Sequence, residues 1–98
     1  MNWVLALEPE AEAEIADARD WYDRRSPGLG AEFVGAVDAT LVAIQQNPFQ
    51  YQAVSGQFRR AVLRRFPYSL IYLASDRQIT VVSCFHGRRK PKIWQERT

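Results

Sequence analysis

An α+β fold, with two helices packed on one face of a small antiparallel sheet, follows from three features of this 98-residue sequence. Apolar residues of the first half recur at helical spacing. Those of the second half gather in short runs rich in β-branched and aromatic residues. Proline or glycine stands at most of the joints between the two kinds of segment. The expected order is β-α-α-β-β-β followed by a C-terminal tail, in a single domain spanning residues 1–98.

Each element has its own warrant. Residues 2–7, ending in Ala6-Leu7 before Glu8-Pro9, read as a short strand. Proline suits the first position of a helix, and Glu8, Glu10 and Glu12 suit the positive end of its dipole. The helix that follows reaches about Tyr22, with Ala11, Ile15, Ala18 and Tyr22 as its apolar stripe. Ser26-Pro27-Gly28 breaks it and opens a second helix, which carries Phe33, Val37, Leu41 and Ile44 on one face and stops at Asn47-Pro48. Together they make an αα-hairpin. Strands are expected at Phe58–Arg65, Tyr68–Ala74 and Ile79–Phe85, with a bend at Phe66-Pro67 and a hairpin turn at Ser75-Asp76-Arg77. The sheet face away from the helices is then open for function.

Charge divides the chain. Residues 1–55 hold nine acidic and three basic side chains, and residues 56–98 hold two acidic and ten basic, so a −6 half precedes a +8 half. A surface of the second kind fits a polyanion or an acidic protein groove. Two basic clusters carry it: Arg59-Arg60 with Arg64-Arg65 around the first of the late strands, and the run Arg88-Arg89-Lys90-Pro91-Lys92 in the tail. Alternation along a strand puts Arg60 and Arg64 on one face, where two guanidinium groups can clamp a phosphate or carboxylate. The same arginines can also protect an edge strand from aggregation.

Other chemistries find little support. His86 is the sole histidine and Cys84 the sole cysteine, so no zinc-ligand spacing exists and no internal disulfide can form. Gly28 and Gly30 match no phosphate loop, and no cofactor is expected. Cys84 and His86 share a strand face, but no third group orients them as a nucleophile and base. For His86 as a general acid or base, Asp76 and Glu96 are the only carboxylates of the basic half, and Asp76 belongs to the far turn of the hairpin. Trp94 can stack on a base, anchor a protein groove or cap the sheet. The opening residues lack a basic leader region, and no apolar run approaches the ~20 residues that span a bilayer. A cytoplasmic setting without membrane contact is therefore expected.

The string Arg59-Arg60, then Phe66-Pro67-Tyr68-Ser69-Leu70-Ile71-Tyr72, then Phe85-His86 with Arg88-Arg89, Pro91 and Trp94, resembles the RelE/ParE superfamily of bacterial toxins. The similarity is closest to its ParE-like, plasmid stabilisation side. It extends over nearly the whole chain, because Trp21-Tyr22, the interhelical turn and Asn47-Pro48 also match the layout. This resemblance implies the toxin of a type II toxin–antitoxin module, wrapped by a cognate ParD-like antitoxin through a helix and an extended segment. An acidic stretch of antitoxin would suit the basic sheet, and an amphipathic helix would suit the helical hairpin.

The superfamily offers two activities. RelE-like members cut mRNA on the ribosome with Lys and Arg residues and a C-terminal Tyr or His, and here His86, Arg60 and Arg88 would be the catalytic candidates. ParE-like members inhibit DNA gyrase without cleaving RNA, and here Arg60, Arg64, His86, Arg88, Arg89 and Trp94 would form the target-binding surface. Gly87 stands after His86 where a tyrosine would be needed, and Lys90 and Lys92 lie only in the tail. These departures favour the gyrase reading over the ribosome and mRNA.

Overall fold

The computed structural model describes residues 3–87. Its elements are β1 (Val4–Leu7), α1 (Pro9–Arg25), α2 (Leu29–Gln46), β2 (Ala53–Ser55), β3 (Phe58–Val62), β4 (Tyr68–Ser75) and β5 (Gln78–His86). The strands form one five-stranded sheet in the order β1-β5-β4-β3-β2. The α+β class and the helical hairpin on the sheet are as the sequence predicts.

Two details of the sheet differ from that expectation. β1 pairs with β5 in parallel, Val4 opposite Gln78 through Leu7 opposite Val81, so the sheet is mixed rather than antiparallel. A four-residue strand that leads into a helix has no tight turn to fix its direction, and the packing of α1 against β5 decides it instead. β2 is an added edge strand of three residues. Its run is too short to show any period in the sequence.

The helices begin and end where local chemistry dictates. Pro9 opens α1, Glu10 and Glu12 lie in its first turn, and Arg24 and Arg25 lie in its last, each matching the dipole. Asp23 then accepts the backbone N–H groups of Gly28 (3.0 Å) and Gly30 (3.2 Å), which satisfies donors at the start of α2. Gly28 has φ of +91°, in the left-handed region that glycine enters without cost. Gly30 is needed for a different reason. A Cβ there would sit 2.6 Å from the Arg19 carbonyl oxygen, so its absence lets the two helices meet closely.

The main core lies between helices and sheet. Phe33, Val37 and Ile44 of α2 and Ala11 and Ala18 of α1 are buried against Leu70, Tyr72, Ile79, Val81 and Cys84. Thr40 takes the buried place on α2 next to the half-buried Leu41, its hydroxyl satisfied by the Ala36 carbonyl at 2.8 Å. Tyr22, Phe33, Phe66 and Tyr68 stack mostly edge to face, with ring centres 5.0–6.1 Å apart. Tyr72 is fully buried, and its hydroxyl donates to the Pro48 carbonyl. Burial pushes that hydroxyl's pKa up to about 12, against a smaller opposing effect of Arg59.

The hairpin β4–β5 turns at Asp76 and Arg77, both at positive φ (53° and 64°), the backbone of a two-residue hairpin loop. Farther along, the register slips by one residue. Tyr72 faces Val81 but Ile71 faces Ser83, leaving Val82 as the extra residue of a bulge. On the face away from the helices, Ile71, Val82 and Phe85 form a second, smaller buried cluster with Phe58 packed against it.

Candidate functional site

The four strand arginines go four ways. Arg59 donates to the Tyr51 carbonyl at 2.6 Å and lies over the Phe49 ring, so it ties the loop before β2 to the sheet. Arg60 pairs across the ladder with Ile71, on the helix-free face, and its Nε donates to the hydroxyl of buried Ser69 at 3.1 Å. β3 ends at Val62, earlier than the expected Arg65, so alternation no longer governs Arg64. Arg64 lines a groove between α2 and β3. Arg65, at φ of +70°, reaches Glu32 of α2 at 2.7 Å, an exposed ion pair worth little by itself. The expected partnership of Arg60 and Arg64 on one strand face is therefore not formed.

His86 sits elsewhere. It pairs with Tyr68, whose ring lies 5.3 Å from the imidazole and nearly perpendicular to it. Both belong to a cleft of about 530 Å3 that opens towards α1 and includes Glu14, Asp17, Trp21 and Tyr22. The Val82 bulge explains the placement. Plain alternation from Ile79, which faces the helices, would put His86 on the opposite face with Arg60. One extra residue reverses that parity, so Cys84 and His86 face α1 and Phe85 faces away.

Glu14 is the neighbour in the His86 cleft that sequence reasoning missed. Its carboxylate accepts the Cys84 backbone N–H at 3.0 Å and the Ser83 hydroxyl at 3.1 Å. The signal was present. Position 14 lies three residues from Ala11 and four from Ala18, so a carboxylate interrupts the apolar stripe of α1. Tyr22, in the same cleft, has its phenol pKa raised by burial first and then by Tyr68 and Cys84. Cys84 itself is buried.

The arrangement constrains the chemistry. The cleft of His86 is lined by two carboxylates and by no arginine among the described residues. Such a lining disfavours a polyphosphate backbone and favours neutral or cationic groups. Arg60, the strand residue of a nuclease constellation, lies on the other side of the sheet from His86. Arg88, Arg89 and Trp94 lie outside the described residues. Among the described residues, no group of three or more His, Cys, Asp or Glu could hold a metal ion, and no helix is long and apolar enough to cross a membrane.

The sequence profile of the ParE toxin of type II toxin–antitoxin systems (parDE) matches residues 5–91. The chain belongs to the ParE toxin family. Its family match begins within β1 and runs past β5, so it takes in every element described above. The fold agrees. A solved structure of the chromosomal ParDE toxin–antitoxin system from P. aeruginosa superposes with a TM-score of 0.76. The match covers 86% of this chain and 95% of that one at 18% identity, so it speaks for the ParE fold alone. No curated protein sequence matches the chain.

Proposed function

We propose that this ParE family toxin inhibits DNA gyrase through protein–protein contact and is neutralised by a cognate ParD-like antitoxin. The observation that carries the reading is the separation of Arg60 and His86 on opposite sides of the sheet, with carboxylates lining the His86 cleft. An RNA-cleaving site needs a phosphate clamp beside its proton carrier. Among the described residues no arginine shares the His86 cleft; Glu14 and Asp17 line it, and Glu14 accepts bonds from β5. Binding by contact needs no such convergence. Arg60 and Arg64 from the described residues, with Arg88, Arg89 and Trp94 from the tail, supply basic and aromatic groups for an acidic protein surface.

The test is a supercoiling assay with purified gyrase and the toxin in excess. Inhibited supercoiling, or a trapped cleavage complex, is the expected result. Unaltered supercoiling, together with codon-linked mRNA cuts on induction that vanish in His86→Ala, would replace this reading with ribosome-dependent RNA cleavage.

A further inference from the structure

The cleft of His86 has no part in the contact proposed above, and its lining has a chemistry of its own. Glu14, Asp17, Ala18 and Trp21 come from one face of α1, at helical spacing. Tyr68 and His86, paired across β4 and β5, come from the sheet. The space between them is about 530 Å3, within the range of small-molecule sites. Trp21, Tyr22 and Tyr68 follow one another along its wall, with successive ring centres 5.1 and 6.1 Å apart.

The charge of this lining is one-sided. Asp17 is exposed and makes no hydrogen bond or ion pair among the described residues. Glu14 is the more buried of the two carboxylates, and the bonds from Ser83 and Cys84 both reach its Oε1. Among the described residues no arginine or lysine joins the lining. A cation is already held beside it, because the Arg25 guanidinium lies over the Trp21 ring at 4.2 Å. Residues three apart on a helix have Cβ atoms ~5–6 Å from each other, a separation that a few methylene groups give to two amino groups. A flexible linear diamine can therefore offer one ammonium to each carboxylate. Its methylene groups then lie against the aromatic wall, a contact that no inorganic cation makes.

We propose that the cleft between α1 and β5 binds a linear aliphatic diamine or polyamine, with one ammonium group at Asp17, a second at Glu14 and the carbon chain between them against Trp21 and Tyr68. Exposed ion pairs and cation–π contacts are each weak, so selection comes from their combination. A metal ion lacks the apolar link, and a monoamine lacks the second charge. The site lies on the other side of the sheet from Arg60, so it is filled or empty independently of a target bound there.

The test is a titration of the full chain with putrescine, and separately with butylamine, at constant ionic strength, followed by NMR at the Trp21 indole N–H and the Cys84 amide. Saturable shifts at both groups are expected, with putrescine bound more tightly than butylamine by about threefold or more. Asp17→Asn and Glu14→Gln each remove one charge and keep the side-chain shape, and the glutamine still offers an acceptor to β5. Each should weaken putrescine binding by about threefold and narrow its advantage over butylamine. Trp21→Ala should weaken both amines. Equal affinities for the two amines, shifts that persist in the Asp17→Asn, Glu14→Gln double variant, or no saturable shift at all would each overturn the proposal. Tighter binding of an arginine-containing tripeptide than of putrescine would assign the cleft to a basic side chain of a protein. Putrescine binding seen only in Arg88→Ala would assign it to the chain's own tail. Either result would also overturn the diamine as its ligand.

Discussion

The two ends of the sheet meet the same helical hairpin and are finished in opposite ways. At the β5 end, β1 pairs as far as Val81, and Glu14 of α1 then takes the next outward N–H, that of Cys84. At the β3 end, β2 gives out at Arg59, Gln52 supplies one more acceptor, and α2 stands off with a groove beneath it. One flank is closed by a side chain of its own helix, and the other is unfinished. Unpaired strand edges are sites of unwanted association, so a short free edge flanked by arginines is the form in which such a site is tolerable. The closed flank is a structural commitment, whereas the open one suits a partner.

Substitutions of glycine test that contrast most sharply. Gly30→Ala drives a Cβ against the Arg19 carbonyl where the helices touch, and should cost about 1–3 kcal/mol in denaturant-induced unfolding. Gly35→Ala, in the wall of the open groove, meets nothing within 4 Å and should stabilise α2 by about 0.5–1 kcal/mol. A neutral Gly30→Ala would mean that the helices do not touch there, and a costly Gly35→Ala would mean that the wall of the groove is not open.

Glu14→Ala comes next in size. It strips the acceptor from the Cys84 N–H and the Ser83 hydroxyl, and should cost about 1–2 kcal/mol. Glu14→Gln keeps a carbonyl acceptor and should recover most of that loss. Exchange of the Cys84 amide should speed up in the alanine variant and leave Val62 unaffected, which separates the two edges directly.

Tyr72 lies between the flanks and gives the smallest effect near neutrality. Tyr72→Phe loses the bond to Pro48 and should cost about 1 kcal/mol. Its alkaline behaviour is more telling. A phenol pKa raised from 10.0 to about 12 stabilises the native state while the hydroxyl is neutral. That contribution is whole below pH 10 and is lost as pH rises from 10 to about 12. The denaturation midpoint of the natural protein should therefore fall over that interval, and that of Tyr72→Phe should fall less.

Much of this architecture was legible in the sequence. The 3.6-residue spacing of Ala11, Ile15, Ala18 and Tyr22, the stops at Ser26 and Asn47, and the hairpin at Asp76-Arg77 each carry a local physical cause, and each is found in place. Other features have no local cause. The parallel direction of β1 depends on α1 lying over β5, and β2 owes its pairing to a bulged register with β3. The site was less legible than the fold. Arg60 and His86 look like companions when strands are read by strict alternation, and a single slip near Ile71 parts them. Arg64 left the face of Arg60 because the chain turns at Leu63 to bring Phe66 into the aromatic core. Glu14 was visible as a charge inside an apolar stripe, yet its partners are about seventy positions away, at Ser83 and Cys84.

The extra residue at Val82 also bears on how relatives of this chain can diverge. Replacing side chains one at a time leaves every residue after the bulge on its present face. Loss of a single codon there would exchange all of them at once, carrying the imidazole from the carboxylate-lined cleft to the arginine side of the sheet. Within such a lineage, in-frame deletions and insertions in the last strand are thus the events to watch for a change of target, and a count of conserved identities would pass over them.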